Sequence, residues 1–247
     1  MNKNLEPTTY TNEFAEFVQK GVGNYFIGTG NPNSKVLLIG KESAIPSTDT
    51  AGLKWYYDNA FTWMNHIKNN TCECFKYRVD ENNPLRKGWG RNTWSKYQKL
   101  IDYIVEKESK SFEVNFLKYA FTTEINDAPS KNTSIAVKSN LKKRKELFKN
   151  SGFIQSFPVI ILACSNYIVN NDEIREIDDI FNVTYDGDEE GKHYFTEGNW
   201  FFTHHNNNRS KLVIHTRQLS ADVKDEMLQK MALIIRKHLI DHKLYEF

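Results

Sequence analysis

With 247 residues, 39% of them hydrophobic and 26% charged, the chain has the make-up of one sizeable α/β domain in water. A net charge of +2 argues against a protein that coats polyanions over its whole surface. No apolar run approaches the ~20 residues that a bilayer-spanning helix needs. Met1–Pro7 lacks the apolar core of a secretion signal, so a cytoplasmic location is expected. The cysteines agree with that expectation. Cys72 and Cys74 are too close for an ordinary disulfide, and Cys164 sits in an apolar run as a small core residue. Cys-x-Cys without further cysteines nearby is not zinc-site spacing, so no metal or cofactor is expected.

In chain order, Tyr10 to Lys20 carries apolar groups at helical spacing and stops at Gly21. Val36-Leu37-Leu38-Ile39 is a short unbroken aliphatic run, the pattern of a strand buried on both faces. It exits through Gly40 into Lys41, Glu42 and Ser43, with Gly40 read as the residue that lets the backbone turn. Residues 45–90 form an aromatic-rich, polar excursion, helical in part between Gly52 and Asn69. Trp94, Tyr97, Leu100, Ile101, Ile104 and Val105 mark the inward face of a helix. A second strand is predicted over Val114–Thr122, and a basic helix over 137–150. That helix contains Lys142-Lys143-Arg144-Lys145 and Lys149, read as a solvated face.

A third, fully apolar strand covers Phe157 to Cys164 and opens into Ser165 and Asn166. A helix is expected over Asp172–Phe181, and late strands over Trp200–His205 and Lys211–His215. A long amphipathic helix from about 221 to 240 closes the chain. Strands alternating with helices predict a single-domain, three-layer α/β/α sandwich with a central, mostly parallel sheet. In such a sheet ligands collect beyond the carboxyl ends of the strands. Those ends bring Lys41, Glu42, Ser43, Thr122, Thr123, Asn126, Ser165, Asn166 and His215 toward one edge.

Three of these segments together resemble the motifs of the uracil-DNA glycosylase superfamily. Gly40-Lys41-Glu42-Ser43-Ala44 is similar to its Gly-x-Asp-Pro-like or Gly-Glu-Ala-Pro-Gly-like loop. Phe121 to Pro129 looks like its second strand, which ends near an Asn. His215-Thr216-Arg217-Gln218-Leu219-Ser220-Ala221 resembles its His-Pro-Ser-Pro-Leu-Ser-Ala segment and keeps His, Leu, Ser and Ala in register. The resemblance spans roughly residues 25–240, interrupted by the 45–90 excursion.

What it implies is a DNA glycosylase that hydrolyses the N-glycosidic bond of a damaged or deaminated base. The base must leave the stack for this chemistry. Glu42 would activate the attacking water, and His215 would stabilise charge on the departing base. Gly40, Lys41, Ser43, Thr123, Asn126 and Trp89 would surround the base, with Trp89 or Phe61 stacking on it. Leu219 would fill the vacated space, and Arg217 and Ser220 would hold flanking phosphates.

The chain departs from the family at several points. Glu42 is longer than Asp. Thr123 stands at the Asn position and lacks the donor-acceptor fork of an amide. Thr216 and Gln218 replace two prolines, and three cysteines cannot supply an iron–sulfur cluster. Two alternatives remain: a catalytically silent nucleic-acid binder, and a hydrolase of small nucleoside-type molecules. DNA is the expected partner, with no membrane.

Overall fold

The hydrophobic centre is built from four strands whose residues are almost all buried, and every other element is arranged about them. The computed structural model describes residues 5–108 and 110–245. The first half of the chain gives β1 (Leu5–Pro7), α1 (Asn12–Gly21), β2 (Thr29–Gly30), β3 (Val36–Gly40), α2 (Thr50–Tyr57) and α3 (Asn59–Asn69). It continues with β4 (Thr71–Glu73), β5 (Tyr77–Arg78), α4 (Thr93–Val105), β6 (Glu113–Val114) and β7 (Ala120–Glu124). The second half gives α5 (Leu141–Asn150), α6 (Gly152–Gln155), β8 (Val159–Leu162), α7 (Glu176–Phe181), β9 (Thr184–Tyr185) and α8 (Gly187–Gly191). The chain then forms β10 (Lys192–Thr196), β11 (Asn199–His205), β12 (Leu212–Thr216) and α9 (Asp225–Asp241).

The principal sheet runs in the order β10-β11-β12-β8-β3-β7-β2, with β9 paired to β11. Its four central strands, β12, β8, β3 and β7, are mutually parallel, and the outer ones are antiparallel. The expected mixed α/β architecture with a mostly parallel central sheet flanked by helices is therefore present. From β3 the chain steps one way, through α4, to β7. It then returns across β3, through α5 and α6, to β8. Right-handed crossovers in opposite directions place their helices on opposite faces of a sheet. In agreement, α4 packs on α9, whereas α5 packs on α6 and α7, and α6 on α1. Among the described residues no helix is long and apolar enough to cross a membrane.

The second predicted strand is the clearest correction. Val114 ends a two-residue strand, a single 3₁₀ turn occupies Phe116–Lys118, and the parallel strand begins only at Ala120. A buried amide breaks the run: Gln98 Oε1 accepts hydrogen bonds from the backbone N–H of Asn115 (2.8 Å) and of Phe116 (3.0 Å). Those donors are thereby satisfied outside any ladder.

The 45–90 excursion is not peripheral. Asn59 Oδ1 accepts from the backbone N–H of Ile27 (3.0 Å) and Gly28 (3.1 Å). Asn59 Nδ2 and Trp63 Nε1 both donate to Gly28 O, at 3.0 and 2.8 Å. Gly28 has φ +136°, and a Cβ there would lie 2.3 Å from Thr122 O, so the close approach admits no other residue.

Candidate active site

The strand order reverses beside β3, because β7 and β8 follow it in sequence but flank it on opposite sides. Chain ends leaving such a switch point diverge and open a crevice, the usual ligand position in open α/β sheets. The residues that leave β3 here are Lys41 and Glu42. Parallel pairing persists beyond the regular strands and fixes what surrounds them. Ile125 N donates to Gly40 O (3.0 Å), Asn126 N to Lys41 O (2.8 Å) and Ala163 N to Ile39 O (2.9 Å).

Asn126 is thus carried beside Glu42, and its Nδ2 lies 3.4 Å from Glu42 Oε2. From the other side Tyr167 donates its hydroxyl to the same oxygen at 2.6 Å. Tyr167 follows β8 through Ser165, a non-glycine residue in the left-handed region (φ 51°) that turns the chain back toward β3. Burial and the Glu42 carboxylate push the Tyr167 phenol above its ordinary range, so it remains a donor.

Glu42 lines a cleft of about 320 Å³, near the lower end of the range for small-molecule sites. Phe26, Trp55, Trp94 and Tyr97 supply aromatic wall, and Ile45 and Leu85 bring the excursion into the lining. Gly40, Lys41, Ser43, Thr122, Glu124 and Gln218 complete much of the remainder.

Lys41 and Lys138 lie over the Tyr167 ring, 5.0 and 4.6 Å from its centre. Burial lowers the Lys41 pKa, Glu42 opposes that shift, and the positive charges of Lys138 and Arg217 deepen it. Among the described residues, none of these three cations forms a salt bridge. Lys41 is instead supported by the nearby Glu42 charge, and Lys138 by the face of the Tyr167 ring.

Gly40 has a different use from the expected turn. It is the last residue of β3 and pairs in register with Glu124 of β7. The Glu124 carboxyl occupies the space a side chain would fill: a Cβ on Gly40 would meet Glu124 Oε2 at 2.3 Å. Gly40→Ala should therefore expel this carboxyl or shift the strand, costing about 1–3 kcal/mol in urea unfolding. An unchanged midpoint would show that the carboxyl moves aside freely.

The remaining sequence-predicted residues are placed less centrally. Thr123 is fully buried; its hydroxyl donates to Ile27 O (2.8 Å) and accepts from Arg144 (2.9 Å). Asn126 is fully buried too, and its amide also donates to Val137 O at 3.1 Å. His215 is only 4% exposed and does not line the cleft. Its Nε2 donates to Ser165 O (3.0 Å), which leaves Nδ1 to accept from Asn170 Nδ2 (3.3 Å). Burial lowers its pKa to about 4, so the ring is neutral and both nitrogens are occupied.

Leu219 is fully buried in the core, so its side chain is not presented to a duplex. Arg217 donates to Gly198 O at 2.8 Å. Ser220, partly exposed, anchors the turn that follows by accepting Val223 N at 3.3 Å. Trp89 packs near Phe112, with ring centres 6.4 Å apart, and Phe61 is exposed on α3; neither lines the cleft.

Tyr167, Glu124, Trp55 and Lys138 were not singled out from the sequence. A carboxylate at the end of the second strand was the one available signal for Glu124. Among the described residues no cluster of three or more His, Cys, Asp or Glu side chains is arranged to hold a metal ion. Comparison of the chain with protein-family models, with curated proteins and with solved structures finds no match.

Proposed function

We propose that the protein hydrolyses the N-glycosidic bond of a nucleobase, in the manner of the uracil-DNA glycosylase-like enzymes its motifs resemble. The observation that carries this reading is the placement of Glu42. It lies at the switch point, held by Tyr167 and Asn126, and faces an aromatic-walled cleft whose lining includes Lys41. Each part has a use in that chemistry. Aromatic rings stack on a base. Cations receive the phosphates of a nucleotide or strand. A fixed carboxylate orients water and takes its proton as the C–N bond breaks.

The direct test is incubation with single- and double-stranded oligonucleotides carrying uracil or other modified bases, followed by detection of abasic sites. Released base that disappears with Glu42→Ala supports the reading, and absence of product from every substrate rejects it. Burial of Leu219 favours a second version, in which the substrate is a free nucleoside or nucleotide. Release from nucleosides but not from strands would select it.

Trp55, 44% exposed at the cleft, is assigned the stacking contact in either version. Trp55→Ala should weaken substrate binding by about 1–3 kcal/mol, the usual worth of one base–aromatic stack. The change should appear in KM far more than in kcat.

A further inference from the structure

Hydrolysis of an N-glycosidic bond needs a group that meets the charge arriving on the departing base, and His215 has no free nitrogen for it. A second carboxyl lines the same cleft. Glu124 leaves β7 beside Glu42, with its Oε2 buried over Gly40 and without a hydrogen-bond partner. A buried, unpartnered carboxyl oxygen beside another carboxyl is costly as an anion and acceptable as a neutral acid.

We infer that Glu124 is a second catalytic residue of this site, the acid that delivers a proton to the departing base. The inference rests on the base-releasing activity proposed above and gives it a division of labour. Glu42 takes a proton from water as the water oxygen bonds to the sugar carbon. The C–N bond breaks with its electron pair going to the base, and the Glu124 O–H proton goes to that base. The products are a neutral base and a sugar hydroxyl, with Glu42 left protonated and Glu124 ionised. Exchange with solvent restores both.

The surroundings of Glu124 favour that starting state. Burial raises its pKa to about 8, the Glu42 charge adds to the rise, and Arg144 on α5 opposes it. The Glu124 charge is in turn felt by Tyr97 of α4, Tyr56 of α2 and Cys164 after β8. Burial holds all three above their ordinary values, so they are neutral near pH 7 and leave the balance to Glu42 and Arg144. A carboxyl held neutral by its surroundings is the form a general acid needs.

The experiment compares wild type with Glu124→Gln, which keeps the shape and removes the proton. Rates are measured from pH 5 to 9 on a nucleobase substrate and on a 4-nitrophenyl glycoside of the same sugar. Nitrophenolate leaves without protonation, so the variant should lose about 10²–10⁴-fold on the nucleobase and much less on the nitrophenyl substrate. The alkaline fall in wild-type rate should vanish in the variant.

Folding provides a readout without turnover. A carboxyl with a raised folded-state pKa contributes stability below its unfolded pKa and loses it as pH rises through the folded value. The Tm of wild type relative to Glu124→Gln should therefore fall between pH 5 and 8. Equal losses on both substrates, or a Tm difference independent of pH, would overturn the assignment while leaving base release by wild type intact. No base release by wild type would remove the underlying reading, and the assignment with it.

Discussion

Glu42→Gln should lower base release by about 10²–10⁴-fold, the usual contribution of a positioned general base, while the protein stays folded. The substitution isolates chemistry from architecture. Glutamine keeps an oxygen to accept the Tyr167 hydroxyl, so the bond that now measures 2.6 Å survives. It cannot take a proton from water. Glu42→Ala is the less informative change, because it leaves the Tyr167 hydroxyl without its acceptor and Asn126 without one of two. An orphaned buried donor costs about 1–3 kcal/mol in its own right. Single-turnover rates at pH 7 and the midpoint of thermal unfolding check both halves. A Glu42→Gln rate within tenfold of wild type would remove Glu42 from the chemistry.

Arg144→Met should produce the largest loss of stability, about 3 kcal/mol or more in denaturant unfolding. Arg144 is 2% exposed, inside a helix whose lysine-rich sequence reads as solvated surface. Its Nε donates to Glu124 O (3.0 Å), and its Nη2 to Phe26 O (2.8 Å) and Thr123 Oγ1 (2.9 Å). The guanidinium also lies 4.8 Å from the ring centre of Phe148 and 5.3 Å from that of Tyr25. Methionine fills much of the volume but leaves three buried acceptors facing apolar carbon. Relief from burying a charge offsets part of that cost. A loss below about 1 kcal/mol would mean that water or rearranged side chains replace the guanidinium. The same substitution removes the cation that restrains the Glu124 pKa, so that carboxyl should hold its proton to still higher pH.

The neighbours of the two substituted residues show where sequence reading succeeds. Val36–Ile39 and Val159–Leu162 are legible because a strand buried on both faces needs an unbroken aliphatic run. The helices at Thr93–Val105 and Asp225–Asp241 are legible from their apolar spacing. The position of Glu42 just past the sheet depends only on where β3 ends, which the aliphatic run marks. What sequence could not supply was register. The pairing of Gly40 with Glu124 brings a carboxyl over a glycine, and nothing local announces it. Tyr167 depends on one left-handed residue, Ser165, to point back at Glu42. Arg144 looks like its lysine neighbours until the helix is docked. The partners of His215 likewise come from a loop 45 to 50 residues earlier.

The bonds from Asn59 and Trp63 to residues 27 and 28 bear on how the cleft behaves in solution. They weld α3 to the segment that enters the sheet through β2, and Trp55 sits one short turn before α3. Elements tied through buried hydrogen bonds open together, as one cooperative unit, rather than as a hinged flap. The wall that Trp55 contributes therefore shares the stability of the sheet and stays preformed between substrate encounters. Binding then carries little cost for ordering that wall, and affinity is set by the fit of the occupant.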